Sequence, residues 1–149
     1  MATPLFIAAD HRGFELKEHL KSYLHNQNVE VKDVTPELKE GDDYPLVAEA
    51  LVKDMESAHE SRGVLVCGSG AGIAIAANRF HGMRASVGVS AEQVKAARHD
   101  DDINILVFGA DFNEKDTAHA MLDAFLGTPF AAGQERYERR ISELDKLGS

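Results

Sequence analysis

Five short apolar runs alternate along the chain with longer amphipathic stretches, and this alternation restricts the possible folds more than any other feature. The runs cover residues 5–9, 29–34, 63–67, 83–89 and 104–109. Each is too short for a helix, and most are apolar nearly throughout, which is typical of strands covered on both faces. The run 29–34 alternates instead, so we expect that strand at an edge of the sheet.

The stretches between the runs have helical periodicity. In the first, Phe14, Leu16, Leu20 and Leu24 share one face, and Pro45 suits the first turn of the second. Further helices are predicted over residues 72–80, 91–100, 114–126 and 135–147. Because strands and helices alternate, we predict a three-layer αβα fold around a doubly wound, five-stranded parallel sheet with right-handed crossovers.

The size of the chain favours one domain over residues 1–149, since there is no linker or repeat. Five strands in such a domain favour the flavodoxin-like order 2-1-3-4-5. Ligands bind these sheets at the carboxyl ends of the strands, where the winding reverses. In this order the reversal lies between the first and third strands.

Charge and hydropathy exclude some partners. The 16 basic and 25 acidic residues give a net charge of −9, which argues against nucleic acid. A local group of arginines can still bind a phosphate on an acidic protein. No apolar run reaches the roughly 18 residues that a membrane span needs. The first residues lack a signal-peptide pattern and there is one cysteine, so we expect a cytoplasmic protein.

A glycine-rich turn, residues 67–72, follows the third predicted strand and opens a helix. Its sequence, Cys-Gly-Ser-Gly-Ala-Gly, lets backbone N–H groups converge on an oxyanion or phosphate. It is not a dinucleotide fingerprint, because Ile73 stands where the third glycine belongs, and it lacks the Lys-Ser/Thr pair of a Walker loop. The alternative interpretation is a tight turn without a ligand. We favour the binding site over it, because three glycines stand beside the potentially reactive Cys67.

Cys67 ends a buried strand, where a free cysteine is most often a small buried hydrophobe. At this position, however, it faces the turn and a helix N-terminus, which favour a reactive thiol. Such a thiol can act as nucleophile or as base, and the residues alone leave both roles open.

Asp10 and His11 follow the first strand, at the predicted ligand crevice. Asp10 is alternatively an N-cap of the first helix, and His11 an exposed turn residue. His99 ends the fourth helix, where a histidine also interacts favourably with the helix dipole. That end of the helix lies at the opposite edge of the sheet, so a functional His99 implies a dimer with shared sites.

Arg136 and Arg140 are four residues apart and therefore on one helical face. They form either a solvated face paired with glutamates or a guanidinium pair that grips a phosphate. The remaining histidines have no metal-ligand spacing, so we predict no metal site. They are His19, His25, His59, His81 and His119.

Several segments together resemble the ribose-5-phosphate isomerase B family, which includes galactose-6-phosphate isomerase subunits. They are Ala-Asp-His-Arg-Gly-Phe-Glu-Leu-Lys at 9–17, Asp-Tyr-Pro at 43–45, Cys-Gly-Ser-Gly-Ala-Gly-Ile-Ala-Ile-Ala-Ala-Asn at 67–78, Gly-Met-Arg-Ala at 82–85, Asn-Ile-Leu-Val-Phe-Gly at 104–109, and Arg136 with Arg140. The resemblance spans essentially the whole chain, in order.

The resemblance implies aldose–ketose isomerisation of a sugar phosphate without metal or organic cofactor. It implies that Cys67 is the general base, moving a proton between carbons 2 and 1 through a cis-enediolate. Ser69 and the glycine turn would stabilise the oxyanion. Asp10 and His99 would open the sugar ring and transfer protons between its oxygens. The substrate-binding residues would be His11, Tyr44, Gly68, Gly70, Ala71, Gly72, Asn78, Asp100, Arg136 and Arg140. The resemblance also implies a homodimer, with a tetramer as the alternative.

Two departures from the family pattern leave the substrate open. Asp111 stands where members commonly carry an arginine after the last strand, and Asp100 where they often carry asparagine. A carboxylate near a phosphate is unfavourable by roughly 1 kcal/mol or more. The alternatives are therefore the same chemistry on a tetrose, allose or galactose phosphate, or a sugar-phosphate-binding module without turnover.

Overall fold

The computed structural model describes residues 4–148 and contains one parallel sheet between two layers of helices. The strands are β1 (Leu5–Ala9), β2 (Val31–Asp33), β3 (Arg62–Cys67), β4 (Ala85–Val87) and β5 (Ile105–Gly109). The helices are α1 (Phe14–Asn26), α2 (Tyr44–Glu56), α3 (Ala71–Asn78), α4 (Ala91–Asp101), α5 (Lys115–Gly127) and α6 (Glu135–Asp145). Every predicted strand and helix is present, and Pro45 lies in the first turn of α2.

The strand order is β2-β1-β3-β5-β4, with all pairs parallel. The predicted α/β fold and the edge position of β2 are confirmed, but the order 2-1-3-4-5 is wrong at the other edge. Burial explains the exchange, since β5 is buried along its whole length and β4 is only half-buried. The more apolar strand therefore takes the inner position, next to β3.

The path of the chain decides which helices cover which face of the sheet. The connections from β1 to β2 and from β4 to β5 run one way across the sheet, and those from β2 to β3 and from β3 to β4 run the other way. Crossovers of one hand must then put α1 and α4 on one face and α2 and α3 on the other. The two hydrophobic cores have this composition, with α5 added to the α1 and α4 layer.

Helix α6 packs against α4 and contributes no residue to either core of the described chain. Within residues 4–148, no helix is both long and apolar enough to cross a membrane.

Candidate functional site

The carboxyl ends of β1 and β3 meet closely, as the position of the predicted crevice requires. The Asp10 N–H donates to the carbonyl oxygen of Val66 at 3.2 Å. A Cβ at Gly13 would lie 2.4 Å from the same oxygen, so only glycine lets the segment after β1 approach β3 this closely. The side chains that follow the two strands are thereby brought into one crevice.

The glycine turn is held by its own contacts and by β5. Gly70 has φ +85° and its N–H donates to the Cys67 sulfur at 3.2 Å, while the Ala71 N–H donates to Ser69 Oγ at 3.2 Å. A Cβ at Gly109 would lie 2.3 Å from the Ser69 carbonyl oxygen, so the end of β5 packs directly against the turn. The Gly70 and Ala71 N–H groups are engaged within the turn, and an oxyanion there would have to replace these partners or use neighbouring donors.

Cys67 is 4% exposed and lies at the end of β3, in the core layer formed by α2 and α3. Its sulfur faces the turn, which is the placement that the sequence predicted. A buried thiol at the edge of a ligand crevice can reach a substrate that enters the crevice, while bulk water is largely excluded from it.

Asp10 is buried, and one of its carboxylate oxygens accepts hydrogen bonds from the N–H groups of Arg12 and Gly13, each at 3.0 Å. The N-cap of α1 is Gly13, so Asp10 stabilises the turn that precedes the helix. Burial raises the pKa of Asp10 and outweighs the opposing effect of these hydrogen bonds. A carboxyl that holds its proton to higher pH than usual, inside a crevice, is suited to proton transfer.

His11 is paired with Asp42, a residue that the sequence did not single out. One Asp42 oxygen accepts from the His11 N–H at 2.8 Å and lies 2.9 Å from its Nδ1. The hydrogen bond to Asp42 is the main cause of the raised pKa of His11. The charged form of the imidazole at the mouth of the crevice is therefore favoured more than in a free histidine.

Tyr44 lies at the glycine turn, and its predicted contact with the sugar remains a prediction. A Cβ at Gly72 would be 2.7 Å from Tyr44 Cζ, so the ring covers this glycine. The side chain remains exposed on its other side.

Arg12 and Asp111 complete the rim of the crevice. Arg12 donates to the Asp111 carboxylate, and the Asp111 N–H donates to the Gly68 carbonyl oxygen at 3.0 Å. From the sequence, Asp111 was identified only as a departure from the family pattern, and Arg12 was assigned no role in the site. The two residues are 99 positions apart, so the pattern of apolar residues along the chain could not predict their contact.

Asn78 has a structural position. Its side-chain amide donates to the Ala85 carbonyl oxygen at 2.9 Å and accepts from the Ala85 N–H at 2.8 Å. These bonds fasten the end of α3 to the edge strand β4. The predicted contact between Asn78 and substrate remains a prediction.

A second cluster, the α4–α6 cluster, consists of His99, Asp100, Arg136 and Tyr137. His99 Nδ1 lies 2.7 Å from an Asp100 carboxylate oxygen, and its ring meets the Tyr137 ring edge to face at 5.4 Å. The Arg136 guanidinium lies 4.8 Å from the Tyr137 ring centre. Arg140 is exposed one helical turn further along α6.

The structure therefore divides the predicted site residues into two groups. Asp10, His11, Tyr44, Cys67 and residues 68–72 converge at the carboxyl edge of the sheet. His99, Asp100, Arg136 and Arg140 lie where α4 ends, after it has run back along the sheet from the carboxyl end of β4. Within residues 4–148, no group of three or more His, Cys, Asp or Glu side chains is arranged to hold a metal ion.

Comparison with known proteins gives matches over nearly the whole chain. Residues 5–144 match the Ribose/Galactose Isomerase family. The probable ribose-5-phosphate isomerase B of Mycoplasma pneumoniae is 35% identical over 145 residues, covering 97% of this chain and 94% of the relative. Ribose-5-phosphate isomerase B of Escherichia coli is 34% identical over 138 residues, covering 93% and 91%.

Solved structures share the fold. Ribose 5-phosphate isomerase from Thermotoga maritima superposes with a TM-score of 0.92 at 38% identity, covering 99% of this chain and 100% of that chain. Ribose-5-phosphate isomerase B from Mycoplasma genitalium, solved with bound ribulose-5-phosphate, gives a TM-score of 0.84 at 33% identity, covering 97% and 95%.

Proposed function

The chain belongs to the ribose/galactose isomerase family, and on this basis we propose that it interconverts ribose 5-phosphate and ribulose 5-phosphate. The observation that carries the proposal is the position of Cys67. Its thiol is buried at the end of β3, under a glycine turn and beside the crevice that holds Asp10. This arrangement supplies a proton acceptor at the place where the fold binds its ligand.

The proposed reaction moves one proton between two carbons and one between their oxygens. The Cys67 thiolate removes the proton from carbon 2 of the open-chain aldose, and the electrons form the enediolate double bond as the carbonyl oxygen becomes negative. N–H groups of the glycine turn and the Ser69 hydroxyl stabilise that oxyanion. Transfer of the hydroxyl proton from the oxygen on carbon 2 to the oxygen on carbon 1, and return of the first proton to carbon 1, give the ketose and restore the thiolate. No redox cofactor is consumed.

Asp10 and His99 serve ring opening and proton exchange between the sugar oxygens in this proposal. Opening requires one group to take the proton from the hydroxyl on carbon 1 and another to protonate the ring oxygen. The raised pKa of buried Asp10 suits a carboxyl that exchanges protons with a hydroxyl. Positively charged His11, held by Asp42, binds the phosphate, and Tyr44 lines the sugar pocket.

We assign His99, Asp100, Arg136 and Arg140 to the active site of a second copy in a homodimer, with a tetramer of such dimers as the alternative. Two observations support this. The α4–α6 cluster is separate from Cys67 within one chain, and α6 adds no residue to the two cores formed by residues 4–148. The cytoplasm is the proposed location, since a reduced cysteine is needed for the reaction.

The function is tested by incubating the wild-type protein with ribose 5-phosphate in deuterium oxide. We expect ribulose 5-phosphate to form and deuterium to enter carbon 2 of the recovered aldose. A panel of aldose phosphates with four to six carbons gives the preferred substrate. A protein that binds ribose 5-phosphate but exchanges no proton would instead be a binding module, and turnover of only a tetrose or hexose phosphate would change the assigned sugar.

A further inference from the structure

The Arg12 side chain occupies the space in front of Gly68, at the start of the glycine turn. A Cβ at Gly68 would lie 2.3 Å from Arg12 Cζ and 2.6 Å from both Nε and Nη1. Three atoms of the guanidinium are thus nearly equidistant from this point, so the group lies over Gly68. A glycine at this position leaves room for the guanidinium next to Cys67.

Asp111 fixes this placement from a third strand end. Its carboxylate accepts from Arg12 Nη2, and its N–H donates to the Gly68 carbonyl oxygen at 3.0 Å. Arg12 follows β1, Gly68 follows β3 and Asp111 follows β5. The guanidinium is therefore tied to all three strands that form the crevice.

The Arg12–Asp111 pair contributes little to folding stability, so stability alone does not account for it. The two side chains are 56% and 46% exposed, and ion pairs exposed to this degree contribute little to folding stability. The same exposure leaves the guanidinium accessible to a ligand. Because Asp111 engages Nη2, the guanidinium is held in a fixed orientation beside the crevice.

From this geometry we infer that Arg12 binds the phosphate of the substrate and that Asp111 positions it. This inference rests on the proposed function. A guanidinium offers a planar set of donors that matches phosphate oxygens. Arg12 also directly follows His11, whose pKa is raised mainly by the hydrogen bond to Asp42. Arg12 and His11 therefore place two side chains with N–H donors, each oriented by a carboxylate, at the mouth of the crevice.

The inference is tested with Arg12→Gln, Arg12→Lys and Asp111→Asn, and with Lys53→Gln as the matched control. Lys53 carries the same charge and forms an exposed ion pair with Glu49 on α2. Two quantities are measured: KM for ribose 5-phosphate, and the affinity for inorganic phosphate, followed by equilibrium binding so that it does not depend on turnover.

We expect Arg12→Gln to weaken phosphate affinity and raise KM by about tenfold or more, with a smaller change in kcat. Arg12→Lys should recover part of the loss, and Lys53→Gln should change neither quantity by more than about twofold. Asp111→Asn should weaken phosphate affinity by less than Arg12→Gln, because the guanidinium loses its charged anchor while the removal of a carboxylate near the phosphate offsets part of that loss.

Arg12→Gln with unchanged phosphate affinity and KM would overturn the phosphate role. A variant that kept both quantities but unfolded at lower urea would show that Arg12 serves stability alone, which also overturns that role. Asp111→Asn with unchanged or tighter phosphate affinity would overturn the positioning role. If the wild-type protein failed to isomerise any aldose phosphate, the proposed function would fall. The phosphate-binding measurement on Arg12→Gln would still decide this inference.

Discussion

The backbone N–H of Gly70 donates a hydrogen bond to the Cys67 sulfur over 3.2 Å. Gly70 reaches this position with φ +85°, a conformation that side chains with a Cβ rarely adopt. The turn and the thiol are therefore coupled, since the backbone that shapes the ligand site also directs a donor at the sulfur.

Replacement of Cys67 by alanine tests the proposed base. We expect the rate of proton exchange at carbon 2 to fall by about 10²–10⁴-fold, which is the usual contribution of a general base. Cys67→Ser keeps a small polar group but a much weaker base, so it should also lose most of the exchange. Deuterium incorporation measured by NMR reports the rate, and a Cys67→Ala protein with full exchange would disprove the assignment.

Gly70→Ala is expected to destabilise the protein and to abolish activity. The positive φ costs about 1–2 kcal/mol for a residue with a Cβ, and the new methyl would meet the Gly109 nitrogen at 3.2 Å. Gly82→Ala is the matched control, because Gly82 has φ +81° and a Cβ there meets no heavy atom of the described chain within 4 Å. Urea unfolding should show a larger loss for Gly70→Ala, and only Gly82→Ala should retain kcat. Equal losses of stability and activity in the two variants would count against a special role for the turn.

Asp42→Asn is expected to shift the pH dependence of substrate binding. The hydrogen bond to Asp42, with smaller contributions from Asp10 and Glu40, raises the pKa of His11 above its usual value. Stabilisation by the charged pair is fully present below the unfolded-state pKa, and it is lost as the pH rises through the folded-state pKa. In the wild type, KM should therefore begin to rise at a higher pH than in Asp42→Asn.

An NMR titration of the His11 ring checks this directly. Asp43→Asn is the control, since it removes a neighbouring carboxylate that forms no hydrogen bond with His11 in the described structure. The same titration midpoint in wild type and Asp42→Asn would show that Asp42 does not set the charge of His11.

Lys17→Met is expected to destabilise the fold by about 1.5–3 kcal/mol, because it removes a buried hydrogen bond between two charged groups. Lys17 is 0% exposed, and its Nζ donates to Asp33 at 2.7 Å and to the Thr35 carbonyl oxygen at 2.6 Å. Lys21 also binds Asp33 at 2.7 Å but is one-third exposed, so Lys21→Met should cost much less. Urea unfolding at neutral pH measures both, and equal losses would contradict the importance of burial.

The Asp33 network should also set the acid stability of the protein. Burial alone would raise the pKa of Asp33, but hydrogen bonds from Lys17 and Lys21 lower it below its usual value. The stabilisation is present above the unfolded-state pKa, near 3.9, and is lost as the pH falls through the lower folded-state value. Acid unfolding of Lys17→Met should begin at a higher pH than that of the wild type.

Complementation between inactive variants tests the shared site. Cys67→Ala and His99→Ala lie in the two separate groups, so each homodimer should be inactive. In a mixed dimer, one of the two sites would receive an intact Cys67 group and an intact α4–α6 cluster from different subunits. Mixing and refolding equal amounts should restore about a quarter of wild-type activity, since half of the dimers are mixed and each has one complete site. No recovery, despite subunit exchange shown by differently tagged chains, would place His99 outside the site.

The amino-acid sequence was sufficient to predict every strand and α-helix of the fold and to place several candidate residues at the carboxyl ends of β1 and β3. Apolar periodicity reports burial, so the five strands, the helices and the edge position of β2 could be predicted locally. The ends of β1 and β3 could be paired because chains of this class reverse their winding there. Asp10, His11 and Cys67 follow those two ends directly, and the structure brings them together.

Tertiary structure alone decided the rest. The choice between β4 and β5 as inner strand depends on which of two apolar runs packs better between the helix layers, and that comparison is not local. The Arg12–Asp111 and His11–Asp42 pairs join residues 99 and 31 positions apart. Such contacts depend on side-chain direction at the ends of different strands. Periodicity along the chain records how deeply a residue is buried, whereas its polar partner is set by how the strand ends converge in three dimensions.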